Sequence, residues 1–277
     1  MSLGEILSHP LLLPALLAAI AASIAGGIMG SYIVAKRIVF LSGSISHAVL
    51  GGMGFFLWLK RHFHLEWASP LFGALIAALL SALALGWIRF RYKEREDTLI
   101  AALWSTGMSI GVIFIALTPG YNVELTNFLF GNILWATPRD VAILIGFDIL
   151  LITLTRLYHK QFLAICFDEE QALMQGLNVK KLYMFLLCMI AVSIVLLIQV
   201  VGAILVVALL AIPPAIAAIF SSRLSKIMIL AVFIGIGISF AGISASYRLN
   251  WPPGATIALI AAIVYLGSLP YQRHSTT

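Results

Sequence analysis

The amino-acid sequence predicts an all-α, polytopic transmembrane helical bundle of eight or nine spans, with the N-terminus outside and the C-terminus cytoplasmic. Of the 277 residues, 62% are hydrophobic and only 10% are charged, against roughly a quarter charged in a soluble domain. The mean hydropathy is +1.06. The apolar residues fall into runs close to the ~20 residues that cross a bilayer, with the charges gathered between them. This composition excludes a soluble enzyme, a disordered protein and a disulfide-stapled secreted module. Nine spans of about 20 residues leave only short loops, so residues 1–277 read as a single transmembrane domain with no separate soluble catalytic part.

The spans follow in order. The first, 11–35, begins after Met1-Ser2-Leu3-Gly4-Glu5 without a basic n-region and outruns a signal h-region, so it reads as a span rather than a cleavable signal. It carries Gly26 and Gly30 at four-residue spacing, which lets helix backbones approach inside lipid. The second span, 38–58, places Gly43, Ser44, His47 and Gly51 on one face, narrow and polar enough to line a path or to pack closely. The third and fourth are 69–88 and 98–118, the latter with Gly107 and Gly111. The stretch 119–137 is too short and polar to cross, although Phe128-Leu129-Phe130 can dip into the interface. A fifth span occupies 138–157. The next apolar run, 182–220, is interrupted only by Gln199 and Gly202; divided into 182–199 and 201–220, it makes the count nine. Pro213-Pro214 near its end reads as a break. The last spans are 226–246 and 254–269, with Pro252-Pro253-Gly254 marking a helix start.

Basic residues set the orientation. With the N-terminus outside, 13 of the 17 Lys and Arg residues lie in inner loops, at 36–37, 89–95, 156–160, 180–181, 223–226 and 273. The outer side keeps four, Lys60, Arg61, Arg139 and Arg248. This is a positive-inside bias, and it accounts for the net charge of +6 as topology rather than nucleic-acid binding. Cys166 in a charged loop and Cys188 in an apolar run do not form a redox framework.

The inner loop 158–181 is the longest polar stretch. Asp168 can serve as an N-cap, with Gln171 completing a capping box. Glu169 and Glu170 fall in the first turn, where the helix dipole favours negative charge. Gly176 suits the position that ends a helix, so 168–176 reads as a short capped helix on the cytoplasmic side. Ala172, Leu173 and Leu177 would expose apolar surface unless covered. The helix is therefore either a connector or a docking element for a partner.

Ionisable groups within spans are functional candidates by default. His47 and Asp148 qualify. Neutral imidazole binds zinc and other divalent transition metals. The other reading of His47 is a buried histidine hydrogen-bonded across helices. One histidine cannot make a structural zinc site, yet a transport path needs only transient ligation. Asp148 is either a pathway residue or the partner of a polar group on another helix. In the outer loop, Glu124 and Asn122 can attract a cation or meet an external partner. His62, His64 and Glu66 form a loose cluster that reads as an ordinary solvated loop.

No Gly-Lys-Ser/Thr occurs in the sequence, so the phosphate-cradling loop of an ATPase is absent. No His-Glu-x-x-His is present either, and the chain reads as non-catalytic. A self-sufficient secondary transporter or channel is the alternative to a conduit driven by partners. Such a carrier ordinarily needs several membrane-embedded carboxylates, and only Asp148 is so placed.

An ordered set of motifs carries a family resemblance. It comprises Gly30-Ser31-Tyr32-Ile33-Val34 with Lys36-Arg37, Ser46-His47-Ala48, Phe128-Leu129-Phe130-Gly131-Asn132-Ile133-Leu134, and Phe167-Asp168-Glu169-Glu170 with Gly176-Leu177-Asn178-Val179. Val201-Gly202-Ala203-Ile204-Leu205, Ile212-Pro213-Pro214 and Pro253-Gly254-Ala255-Thr256 complete it. The chain resembles the permease subunits of bacterial ABC importers for zinc, manganese or iron, the ABC-3 family. The resemblance implies a permease homodimer in the bacterial cytoplasmic membrane, bound to two cytoplasmic ABC ATPase subunits and served by an external metal-binding protein. Divalent metal, zinc or manganese foremost, would be the substrate, with no prosthetic group and ATP acting only through the partner. Asp168, Glu169, Glu170, Gln171, Gly176 and Leu177 would belong to the ATPase-coupling helix. Family members commonly carry an acid four residues before the span-two histidine. Here that residue is Gly43, which limits the carried-over ligand to His47, with Asp148 and Glu124 as further candidates.

Overall fold

A computed structural model describes residues 12–92, 96–118, 131 and 133–272. Among these the chain is helical, without strands, and ten α-helices follow in order. They are α1 (Leu12–Ala35), α2 (Val39–Phe63), α3 (Pro70–Tyr92), α4 (Glu96–Leu117), α5 (Pro138–Phe167), α6 (Glu169–Met174), α7 (Val179–Val201), α8 (Ala203–Phe220), α9 (Leu224–Leu249) and α10 (Pro253–Gln272). A 3-10 turn, Ile133–Trp135, precedes α5. All but α6 are long and apolar enough to cross a membrane, nine spans among the described residues. The chain is thus a polytopic helical membrane protein.

The helices group into two compact units, residues 1–37, 126–159 and 197–277 in the first and residues 38–125 and 160–196 in the second. In the first, α1 packs on α8 and α9, and α8, α9 and α10 contact one another. In the second, α2 lies between α3 and α4. Lipid offers no hydrophobic drive for helix association, so close backbone approach through small residues supplies the contact. A Cβ on Gly51 would sit 2.8 Å from the Gly107 carbonyl oxygen, and one on Gly54 would sit 2.9 Å from that of Gly111. Gly52 and Gly73 meet each other's backbone oxygens in the same way on the α3 side. Helix α2 therefore carries a glycine seam on each flank.

Four expectations need correction. The fifth span does not end at 157: α5 continues to Phe167, so the loop 158–181 begins as helix. Its buried stripe runs on through Phe162 and Ile165 at helical spacing, while Arg156 and Lys160 on the other face are exposed. Pro213 and Pro214 do not break their span, because α8 passes through both. Each proline deprives the carbonyl one turn earlier of its N–H, leaving those of Leu209 and Leu210 free. These carbonyls face α1 at Gly26, where a Cβ would lie 3.3 Å from the Leu209 oxygen, and at Gly30, where it would collide with that of Leu210. Glycine Cα–H groups thus approach the two carbonyls that the prolines release. The capping box at Asp168 is half made: its carboxylate accepts from the Gln171 N–H at 2.9 Å. Its own N–H is already bound to the Ala164 carbonyl at 2.9 Å, because α5 runs directly into the cap. Finally, Ala172 is buried; the apolar exposure on α6 falls on Leu173 and Met174.

The run 182–220 divides at Gly202, whose φ of +83° belongs to the left-handed region that glycine occupies without penalty. Gly131, also at positive φ, lies against the backbone of Val201 and Gly202, where no Cβ could fit. Pro253 is the first residue of α10, in agreement with the helix start read from Pro252-Pro253-Gly254.

Candidate functional site

The face of α2 carrying Gly43, Ser44, His47 and Gly51 turns toward α4. The Ser44 hydroxyl donates to the Ile100 carbonyl at 2.9 Å. Gly51 admits the Gly107 backbone as above. His47, half-buried, stacks on Trp104 with ring centroids 4.7 Å apart and planes 13° from parallel. A Cβ on Gly43 would lie 3.3 Å from Cζ3 of the same indole. The tryptophan therefore covers the glycine and one face of the imidazole together. With one face covered, the ring nitrogens at its edge are the atoms His47 can offer a cation.

Asp148 belongs to the first unit. It is buried between Leu144 and Leu151 on the inner face of α5, and neither carboxylate oxygen has a hydrogen-bond partner among the described residues. A buried orphan carboxylate is costly, which supports a functional reading over a structural pairing. Glu124 lies outside the described residues. Among those described, no group of three His, Cys, Asp or Glu side chains is placed to hold a metal ion. His62 stacks on Trp58 at 5.2 Å, and His64 occupies the left-handed cap of α2.

The short helix α6 is closed at both ends. Asp168 caps its N-terminus, and Glu169 and Glu170 fill the first turn. At the other end the Gly176 N–H donates to Leu173 at 2.9 Å and the Leu177 N–H to Ala172 at 3.1 Å. This paired return is the Schellman motif, with Gly176 at positive φ. Arg89, at the end of α3, donates to Glu169 at 2.8 Å while its guanidinium lies 4.2 Å over the Tyr183 ring of α7. One arginine thus joins the start of α6 to two spans. Phe90 adds an edge contact with Tyr183 at 5.6 Å.

Three of these participants escape the sequence reading. Trp104 is the one indole in its span, one turn before Gly107, and that isolation was its only signal. Arg89 reads as one more topogenic cation. His159 sits between Arg156 and Lys160 in what looks like a solvated loop. In the structure its two ring nitrogens meet the hydroxyls of Tyr32 and Ser225, each at 2.9 Å.

Residues 8–272 match the model of the ABC 3 transport family. The chain is 49% identical, over 88% of its own length and 83% of the other, to a Chlamydia pneumoniae protein named "Probable metal transport system membrane protein". It is 33% identical to the manganese transport system membrane protein MntC of Listeria monocytogenes, over 85% of this chain and 81% of that one. Among solved structures it resembles PsaBC from Streptococcus pneumoniae in complex with Fab, with a TM-score of 0.83, 30% identity, and coverage of 98% of this chain and 96% of that one.

Proposed function

The chain belongs to the ABC 3 transport family, and from that membership we propose that it is the permease subunit of a metal importer. The observation that carries the proposal is the extent of the likeness to metal-transport membrane proteins, which covers 88% and 85% of the chain in two of them. The transported substrate is a divalent transition metal, and manganese is named for relatives. The permease itself is non-catalytic. A separate pair of cytoplasmic ATPase subunits supplies the energy, an external metal-binding protein delivers the ion, and two permease chains enclose the path in the cytoplasmic membrane. The N-terminus lies outside and the C-terminus inside.

In this reading α6 is the coupling helix. ATP binding closes the ATPases against it, and the Arg89 contact to Glu169 and Tyr183 passes the displacement to α3 and α7. The path alternates between outward and inward access. His47 is a transient ligand whose rotamer is held by Trp104. Gly43 supplies no second ligand from α2, so metal is held more loosely there, or Asp148 or Glu124 compensates. Loose binding suits a conduit, which must release what it admits.

Metal uptake and growth under metal limitation test the reading in cells lacking the native permease and complemented with variants. His47→Ala and Asp148→Asn are each expected to slow uptake at unchanged membrane abundance. Unimpaired uptake in both variants would remove the ligand assignment. A purified chain that transports metal without an ATPase would overturn the permease reading in favour of a self-sufficient carrier.

A further inference from the structure

Within the first unit, α1, α5 and α9 enclose a cavity of about 520 Å³, within the roughly 300–1,000 Å³ range of small-ligand sites. Its lining is divided by chemistry along its length. Ile28 of α1, Ile152 of α5 and Val232 and Phe233 of α9 form an apolar slot, and Thr155, Arg156, His159 and Ser225 form a polar head. Ser225 and Phe233 are separated by roughly 12 Å of helix. The slot is open along one side, where Ile229 and Phe233 are 59% and 68% exposed. The site therefore has the shape and polarity of an amphiphile.

The polar head is rigid and positive. His159 joins the three helices through its bonds to Tyr32 and Ser225. Thr155 is only 7% exposed, and its Oγ1 has no partner among the described residues. A threonine within a helix ordinarily satisfies its hydroxyl on a carbonyl one turn back, so this one is available to an acceptor in the cavity. Arg156 is exposed and pairs with no acid among the described residues. Arg223 and Lys226 stand beside Ser225 at the start of α9. The described acids of this unit are Asp140 and Asp148, and the nearer lies about 12 Å along α5 from Arg156.

We propose that this groove binds one anionic phospholipid from the leaflet on the side of Arg156. An acyl chain lies along Ile28, Ile152 and Phe233. The phosphate meets Arg156 and Lys226, and a headgroup or ester oxygen accepts from Thr155. A free phosphate would leave the apolar slot empty, and a zwitterionic lipid would leave the excess positive charge uncompensated.

Native mass spectrometry of the intact transporter, released from bilayers of equal phosphatidylglycerol and phosphatidylcholine, tests the proposal. One retained phosphatidylglycerol per permease chain is the expected result. Arg156→Gln, at an exposed position, should cut its preference over phosphatidylcholine about fivefold, the worth of one cation near a charged headgroup. Ile28→Trp, which fills the slot, should abolish retention of either lipid. Equal retention of the two lipids, no retained lipid, or an Arg156→Gln variant with unchanged preference would each overturn the proposal. So would displacement of the lipid by excess inorganic phosphate, which would make the site an anion site alone.

Discussion

Gly30 occupies a position where a single methyl group decides a helix contact. Its missing side chain leaves room for the Leu210 carbonyl, which Pro214 has deprived of its intrahelical donor. Gly30→Ala should therefore lower the thermal midpoint of the detergent-solubilised protein, with an overpacking cost of about 1–3 kcal/mol. Gly237, which faces open space, is the control. Gly237→Ala should be neutral or stabilising by about 0.4–1 kcal/mol, since the change only restricts the unfolded chain. Equal losses in the two variants would show that general helix disruption, not the carbonyl contact, is at work. Trp104 makes a second residue-scale case. Trp104→Ala should cost about 0.5–1.5 kcal/mol of ring stacking and, if His47 has the proposed ligand role, slow metal uptake less than His47→Ala does, because the imidazole remains while its rotamer is freed. Little of this was legible in the sequence. Spacing put Gly43, Ser44, His47 and Gly51 on one face, but which helix that face meets is a long-range fact that no local pattern encodes.

Among the elements, the spans were legible because continuous apolar runs leave a chain few alternatives, and the ends were not. Helix α5 outran its apolar segment because a helix needs only one buried stripe; Phe162 and Ile165 supply it beneath Arg156, His159 and Lys160. The proline pair misled for the opposite reason: its local penalty is real, but α1 answers it from elsewhere in the chain. Helix α6 was legible almost entirely, since its caps are written in adjacent residues. At six residues it is too short to persist by propensity, and its order depends on the caps and on Arg89. Asp168→Ala removes the N-cap at a cost of about 0.5–2 kcal/mol. Amide exchange at Gln171 should accelerate, and ATPase turnover should persist while metal uptake falls. Arg89→Lys should resemble Arg89→Ala in uptake, because an ammonium cannot both bond the Glu169 carboxylate and lay a planar cation over the Tyr183 ring. Uptake at wild-type levels in Arg89→Lys would mean that charge alone carries the contact.

For the whole molecule, the number and direction of crossings rest on one short connection. Helices α7 and α8 have 23 and 18 residues, so each covers roughly 27–35 Å at 1.5 Å per residue, enough for the ~30 Å hydrocarbon core. Joined end to end they would be about twice too long for a single crossing, and Gly202 at φ +83° is where the chain can reverse. If both cross, residues flanking the pair return to the same side. Lys180→Cys and Ser222→Cys, both at exposed positions, should then react alike with a membrane-impermeant maleimide once Cys166 and Cys188 have been replaced by serine. With the basic loops inside, intact cells should leave both unlabelled and permeabilised cells should label both. Trp67→Cys, 66% exposed between α2 and α3, should label in intact cells. Labelling of Lys180→Cys and Ser222→Cys from opposite sides would reduce the pair to one crossing and the count to eight. Labelling of Lys180→Cys and not Trp67→Cys in intact cells would invert the molecule. Inversion would put α6 on the outer face, out of reach of any cytoplasmic ATPase, so orientation and energy source stand or fall in the same measurement.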